Sequence, residues 1–202
     1  MTNGKSEKAH IVVAFGDFGG YSSFYEASIN DEKELNAFMD TCDDIVDGEA
    51  ERTGYRFDDT GDGFFCTVDL VDGHNCHIAI KVFKKLWNIH RRIEAVIKKK
   101  KHPRPDGYRV RVACGVVTRK VKRDGKIVYR GSHINWCSKL LLCFKPVGFI
   151  VHESMKQLIS RRQASANGIH FRKLSIPHPI PDGLPKKEAA ALWAMEIKRR
   201  KR

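Results

Sequence analysis

Two aspartates stand where chain reversals and hard-ion chemistry coincide. Asp17 closes the apolar run that begins at His10, and Phe18 and the pair Gly19 and Gly20 follow it at once. Asp62 lies in Thr60-Gly61-Asp62-Gly63, a turn-forming set between two short apolar runs. Carboxylates are the hard oxygen ligands that Mg²⁺ or Mn²⁺ takes, and a Gly-rich turn leading into a helix offers backbone amides to phosphate oxygens. Two carboxylates at neighbouring strand ends, beside such a turn, are what two divalent ions and a triphosphate require. Either aspartate alone is equally well explained as a residue that favours turns. The chemistry therefore depends on the two side chains converging.

Convergence needs both aspartates to sit on adjacent strands. His10 to Asp17 reads as a buried strand. From Asn30 to Thr53, Leu35, Phe38, Met39, Cys42, Ile45 and Val46 recur at spacings of three and four, which predicts an amphipathic helix with Asp31 and Glu34 at its start. Tyr55 to Asp59 and Phe64 to Val71 are strand candidates folded back on each other by the Asp62 turn. A second long helix begins near His74, Cys76 and His77. It runs through Val82, Phe83, Leu86, Ile89, Ile93, Val96 and Ile97, and stops at the lysine run 98–101 before Pro103 and Pro105.

Tyr108 to Val117 is the next strand, and Asp124 and Gly125 turn the chain into Ile127 to Tyr129. Gly131 opens a helix carrying Ile134, Cys137, Leu140, Leu141 and Phe144. Phe149 to Val151, Glu153 to Arg161 and Ile169 to Leu174 follow as strand, helix and strand. Pro177 to Pro185 holds four prolines and reads as a linker, and Lys186 to Arg202 as a basic tail helix. The expected domain spans 10–176, with linker and tail over 177–202. The element order resembles a ferredoxin-like α+β fold, a mixed or antiparallel sheet with helices on one face.

Composition narrows the partners. The 202 residues are 42% hydrophobic and 30% charged, a globular balance that argues against wholesale disorder. The early apolar run Ile11 to Phe15 is far short of a signal core or a membrane span, so the expected location is the cytoplasm, with no membrane partner. Thirty-seven Lys and Arg against 24 Asp and Glu leave a net charge of +13, which favours an anionic partner. Much of that charge sits in 98–101 and 198–202, runs that are usually solvated helix ends or tails, so nucleic acid is not the expected partner. The six cysteines include no CxxC pair, and His74, Cys76 and His77 lack the distant second pair of a zinc site.

Four segments, in order, resemble the motifs of the class III nucleotide cyclases, the catalytic domain of adenylate and guanylate cyclases. Phe15-Gly16-Asp17-Phe18-Gly19-Gly20-Tyr21-Ser22 is similar to the family's first metal motif, and Gly61-Asp62-Gly63-Phe64 to its second. Arg109 to Val116 resembles the strand before the family's dimer-arm hairpin. Gly131 to Lys139 resembles the helix that carries its transition-state Asn and Arg. The likeness covers about residues 10 to 175.

What the resemblance implies is an attack of the ribose 3′-hydroxyl on the α-phosphate of a nucleoside triphosphate, with loss of pyrophosphate. Asp17 and Asp62 would hold two divalent cations, Mg²⁺ or Mn²⁺, with the Phe18 carbonyl as a further ligand and Gly19 and Gly20 against the phosphates. Asn135 would orient the ribose. Residue 139, on the same helical face, would bring a cation to the α-phosphate. Metal residues and Asn and cation residues belong to opposite subunits in the family, which implies a homodimer with composite sites.

The sequence departs from the family in three places. Lys139 stands where an Arg is expected, keeping the charge but losing the planar fork, and Arg130 is an alternative cation. Asp58 and Val128 occupy the two base-reading positions and match neither purine pattern, while bulky Tyr55 nearby suits a smaller base. Arg172 and Lys173 fall about where the family keeps a triphosphate-binding Lys. Such a compact chain is similar to the pyrimidine cyclases of bacterial anti-phage signalling, called Pycsar. That likeness implies UTP ahead of CTP as substrate and a downstream effector activated by the cyclic product. Competing expectations are a purine cyclase with an unusual pocket, an inactive cyclase-like nucleotide binder, and a basic nucleic-acid-binding protein.

Overall fold

The computed structural model describes residues 6–51, 55–71, 73–122, 124–143, 148–175, 180 and 185–198. Phe144, most of the proline-rich stretch, residues 199–202 and the side chains of Leu140 and Leu141 lie outside the described residues.

One sheet organises the chain. Strand β1 (Ser6–Gly19) pairs antiparallel along its whole length with β4 (Gly107–Val121), and on its other edge with β3 (Gly63–Asp69). Strand β2 (Arg56–Asp59) adds outside β3 as the expected hairpin. The loop between them is tied by Thr60 N–H to the Gly63 carbonyl at 3.1 Å and by Gly61 N–H to Asp59 Oδ1 at 2.7 Å. Beyond β4 come β6 (Gly148–His152, parallel to β4), then β8 (Leu192–Ile197) and β7 (Ile169–Lys173), so the order is β2-β3-β1-β4-β6-β8-β7. Strand β5 (Ile127–Arg130) returns along the far end of β4.

Alternation along the central strands sends side chains to two faces. Val12, Ala14, Val110, Val112, Phe64 and Cys66 face a core built with α2 (Glu32–Glu51) and α3 (Asn75–Lys99). Their apolar stripes, including Leu35, Phe38 and Cys42 on α2 and Val82, Phe83, Leu86 and Ile89 on α3, are buried there. Helix α3 ends as its basic run predicts, with Lys100 N–H bonded back to Ile97 and Val96. The other face is not bare. Helix α4 (Ser132–Cys143) lies on Val13 and Ala113, and the fully buried Cys137 thiol donates to the Arg111 carbonyl at 3.1 Å. Helices thus cover both faces, a correction to the one-sided arrangement expected from element order.

Three further expectations are corrected. A separate helix α1 (Tyr21–Ser28) and a 3₁₀ turn (Ile29–Asp31) precede α2. The helix expected over Glu153 to Arg161 is two short ones, α5 (Glu153–Lys156) and α6 (Arg161–Ala166), the second started by a reciprocal Ser160–Gln163 capping box. Among the described residues the tail is helical only over α7 (Lys186–Ala189), and residues 192–197 form β8 inside the sheet. Leu192 is fully buried and Met195 nearly so; three residues apart on a strand, they face opposite sides of the sheet, and both sides are covered there. A basic composition suggested a solvated helix, but pairing with β6 on one edge and β7 on the other makes these residues a strand. Glu188 of α7 is fastened to His152 by an Oε2–Nε2 contact of 2.9 Å.

Candidate active site at the β1–β4 junction

Strand register brings the two aspartates together. Asp17 lies opposite Gly63 on β3, so Asp62, one residue earlier, stands beside it at the hairpin tip. Glycine at 63 is what allows this: a Cβ there would lie 1.9 Å from the Gly16 carbonyl oxygen and 2.9 Å from the Asp17 Cα. Asp62 is close enough that its charge acts on Asp17, Tyr21 and Tyr108.

On its other edge Asp17 faces Arg109 of β4. The guanidinium grips the carboxylate with both prongs, Nε to Oδ1 at 2.9 Å and Nη2 to Oδ2 at 2.7 Å, and Nη2 also donates to the Phe18 carbonyl at 3.2 Å. Two residues along the same face, Arg111 is fully buried and donates from Nη1 to the carbonyls of Val110 and Gly148. Burial lifts the Asp17 carboxyl to about 6. Arg109 pulls it down, the Asp62 charge pushes it up, and Arg111 pulls it down again.

The Phe18 ring points the other way, into an aromatic cluster with Tyr108 at 5.1 Å and Phe38 at 5.5 Å between ring centres, which anchors the end of β1. Gly19 accepts from Asp106 N–H at 2.8 Å. Gly20 holds a left-handed φ of 69° at the start of α1, where a Cβ would meet the Asp106 carboxylate. No side chain caps that helix end, which leaves its first amides open to another acceptor.

Asp17, the Phe18 carbonyl and Asp62 are the groups here that could hold a divalent cation. Asp17 and the Phe18 carbonyl converge on one positive group, the Arg109 guanidinium, and the Asp62 carboxylate is near enough for its charge to act on Asp17. Among the described residues no three His, Cys, Asp or Glu side chains gather into a metal site. Any ion here would therefore complete its shell with substrate oxygens, as Mg²⁺ does beside phosphates.

The other sequence candidates are dispersed. On β2, Asp58 is held by Arg56 (Nε to Oδ2 3.1 Å, Nη2 to Oδ1 3.2 Å), and the same guanidinium donates through Nη1 to the Ile127 carbonyl at 2.7 Å. Arg56 thus ties Asp58 to the residue before Val128, joining the two positions expected to read the base. Tyr129 adds to this clasp by donating to Asp69 at 3.3 Å, so the β4–β5 hairpin curls back over the sheet. Tyr55 does not share that corner. It lines a separate cavity of about 480 Å³ with Val68, Ile78 and Lys81, against α3. Asn135 is exposed on α4 and Lys139 half-buried one turn later, while Arg130 is exposed at the end of β5. Arg172 and Lys173 lie on β7, four inter-strand steps from β1, or about 19 Å. Lys173 is engaged there, 4.8 Å from the Trp193 ring centre and 3.9 Å from Glu153.

Sequence reasoning missed Arg109, Arg111 and Arg56 as members of the site. The first two carried a signal: arginines on alternate positions of an otherwise apolar strand must share one face with a counter-charge.

No family model matches the sequence, and no curated protein matches it closely enough to count as a relative. Solved structures do match. The crystal structure of the adenylyl cyclase CyaB from P. aeruginosa superposes with a TM-score of 0.66 over 97% of this chain and 98% of that one, at 15% identity. The guanylate cyclase domain of RhGC from Catenaria anguillulae, in complex with GTP, gives 0.60 over 96% and 100%, at 16% identity. The catalytic core of a rhodopsin-guanylyl cyclase with converted specificity, in complex with ATPalphaS, gives 0.63 over 96% and 100%, also at 16% identity. The chain therefore has the α+β fold of a class III cyclase domain. Among the described residues no helix is long and apolar enough to cross a membrane.

Proposed function

We propose that this chain is a nucleotide cyclase, which converts a nucleoside triphosphate to its 3′,5′-cyclic monophosphate and pyrophosphate. The observation that carries the reading is the meeting of Asp17 and Asp62 beside the uncapped start of α1, on a fold shared with adenylyl and guanylyl cyclases. Asp17, Asp62 and the Phe18 carbonyl would hold Mg²⁺ or Mn²⁺. When bound, such ions make the 3′-hydroxyl more acidic and neutralise the departing phosphate oxygens.

The chain's own residues supply the remainder. The amides after Gly19 and Gly20 receive phosphate oxygens, and Arg109 and Arg111 keep the pocket positive for an anionic substrate. Asn135 orients the ribose, and Lys139 sets a positive charge against the α-phosphate as the oxygen to phosphorus bond forms and pyrophosphate leaves. Asn135 is exposed on its own α4, which suits a homodimer in which each site takes Asp17 and Asp62 from one copy and Asn135 and Lys139 from the other. Arg172 and Lys173 could reach a triphosphate only from the partner copy, given their distance from Asp17.

The base is proposed to be a pyrimidine, UTP ahead of CTP. Arg56 draws β2 and β5 together at Asp58 and Val128 and so narrows that corner, leaving an acceptor and a donor side by side for a small base. By resemblance to Pycsar, the cyclic product would signal to an effector in anti-phage defence. Incubation of the purified protein with Mn²⁺ and each of the four ribonucleoside triphosphates, with products identified by mass, tests the reading. A 3′,5′-cyclic pyrimidine nucleotide and pyrophosphate are expected. Cyclic AMP or GMP as the main product overturns the pyrimidine assignment, and no cyclic product from any triphosphate overturns the cyclase.

A further inference from the structure

We infer that Arg109 is the built-in counter-ion of the Asp17 pocket, and that a divalent ion enters only by displacing it. The inference rests on the reading of Asp17 as a metal ligand and extends it to what guards that ligand. Three oxygens here would be offered to a metal: Asp17 Oδ1, Asp17 Oδ2 and the carbonyl of Phe18. All three accept from the one guanidinium, at 2.9, 2.7 and 3.2 Å.

The grip is built into the sheet. Asp17 and Arg109 are direct partners in the β1–β4 ladder, and β4 is held on its other edge at the same point, where Arg109 lies opposite Gly148 of β6. Both side chains are largely withdrawn from water, at 12% and 15% exposure, so the attraction is little screened. A bidentate arginine–carboxylate pair is among the stronger polar contacts available to a protein. A metal ion must break that pair, and it must also lodge beside two positive charges, because Arg111 acts on Asp17 from the same face. The nucleotide-free protein therefore binds divalent ions weakly through Asp17, and the weakness is a property of Arg109 and not of the carboxylates.

Titration of Mn²⁺ into nucleotide-free protein at pH 8, with unbound ion read from its electron paramagnetic resonance signal, tests this directly. Arg109→Gln, which removes the charge and the fork, is expected to bind Mn²⁺ at least tenfold more tightly than the unaltered chain. Adding Asp17→Asn to Arg109→Gln is expected to abolish the gain. Arg109→Lys keeps the positive charge and the fold most closely while losing the fork, and is expected to bind about threefold more tightly. It carries the test if circular dichroism reports that Arg109→Gln does not fold. Affinity in the folded variants equal to or below that of the unaltered chain overturns the inference, as does a gain that survives Asp17→Asn. Failure of the cyclase reading would register separately, as absence of cyclic product from the unaltered chain.

Discussion

Strands β1 and β4 and strands β7 and β8 are both antiparallel pairs in one sheet, yet they differ in what their charges do. In the central pair Asp17 and Arg109 face each other across the ladder, withdrawn from water, with Asp62 brought beside them by a hairpin that only glycine at 63 permits. In the outer pair Lys173 lies over the Trp193 ring and near Glu153 while still 47% exposed, and Arg172 points to solvent. Charge held in a central ladder is costly unless it is matched, so its presence there marks a site. Charge on an outer strand costs little and by itself marks nothing.

Three substitutions would break or sharpen that contrast. Asp62→Ala should bring cyclic product below detection while leaving the melting temperature nearly unchanged, because it would take away a proposed metal ligand on a partly exposed turn and no core packing. Retained turnover would separate the hairpin tip from the chemistry. Lys139→Ala should lower kcat by about a hundredfold, or about 3 kcal/mol, with little change in KM, since a cation at developing charge acts in the transition state. A change confined to KM would make Lys139 a ground-state contact. Lys173→Ala should have the smallest effect, costing less than about 1 kcal/mol of stability for its exposed cation–π contact and leaving kcat unaltered. A tenfold fall in kcat would bring the outer pair into the site through a partner chain and erase the distinction.

How far the sequence could be read follows the same divide. Helices α2 and α3 were legible because their buried faces repeat every three to four residues, and β1 and β4 because a short, nearly unbroken apolar run bounded by turn residues reads as a strand buried on both faces. Asp17 and Asp62 were legible as neighbours because each stands at a chain reversal marked by glycine. Helix α1 was not, since it buries only Phe24 and Ser28 and shows no stripe. Strand β8 was not, because its flanking lysines and arginines suggested solvent while the space between β6 and β7 imposed a strand. Register was the harder loss. A shift of one residue between β1 and β4 would turn Arg109 to the opposite face from Asp17, and nothing local in either strand fixes that alignment. The separation of Tyr55 from Asp58 has a similar origin, because nearby residues at a strand's start can serve different faces.

The position of β8 also constrains how the molecule can be made. Strand β7 is complete when residue 173 has been synthesised, yet it joins the sheet only through β8, which ends at Ile197. A chain emerging from the ribosome can assemble β1 to β4 with α2 and α3 early, but it must hold β7 and the exposed edge of β6 unpaired until the final strand is released. For that interval the edge of β6 is open to any passing extended segment, and the half-made chain depends on whatever shields it in the cell.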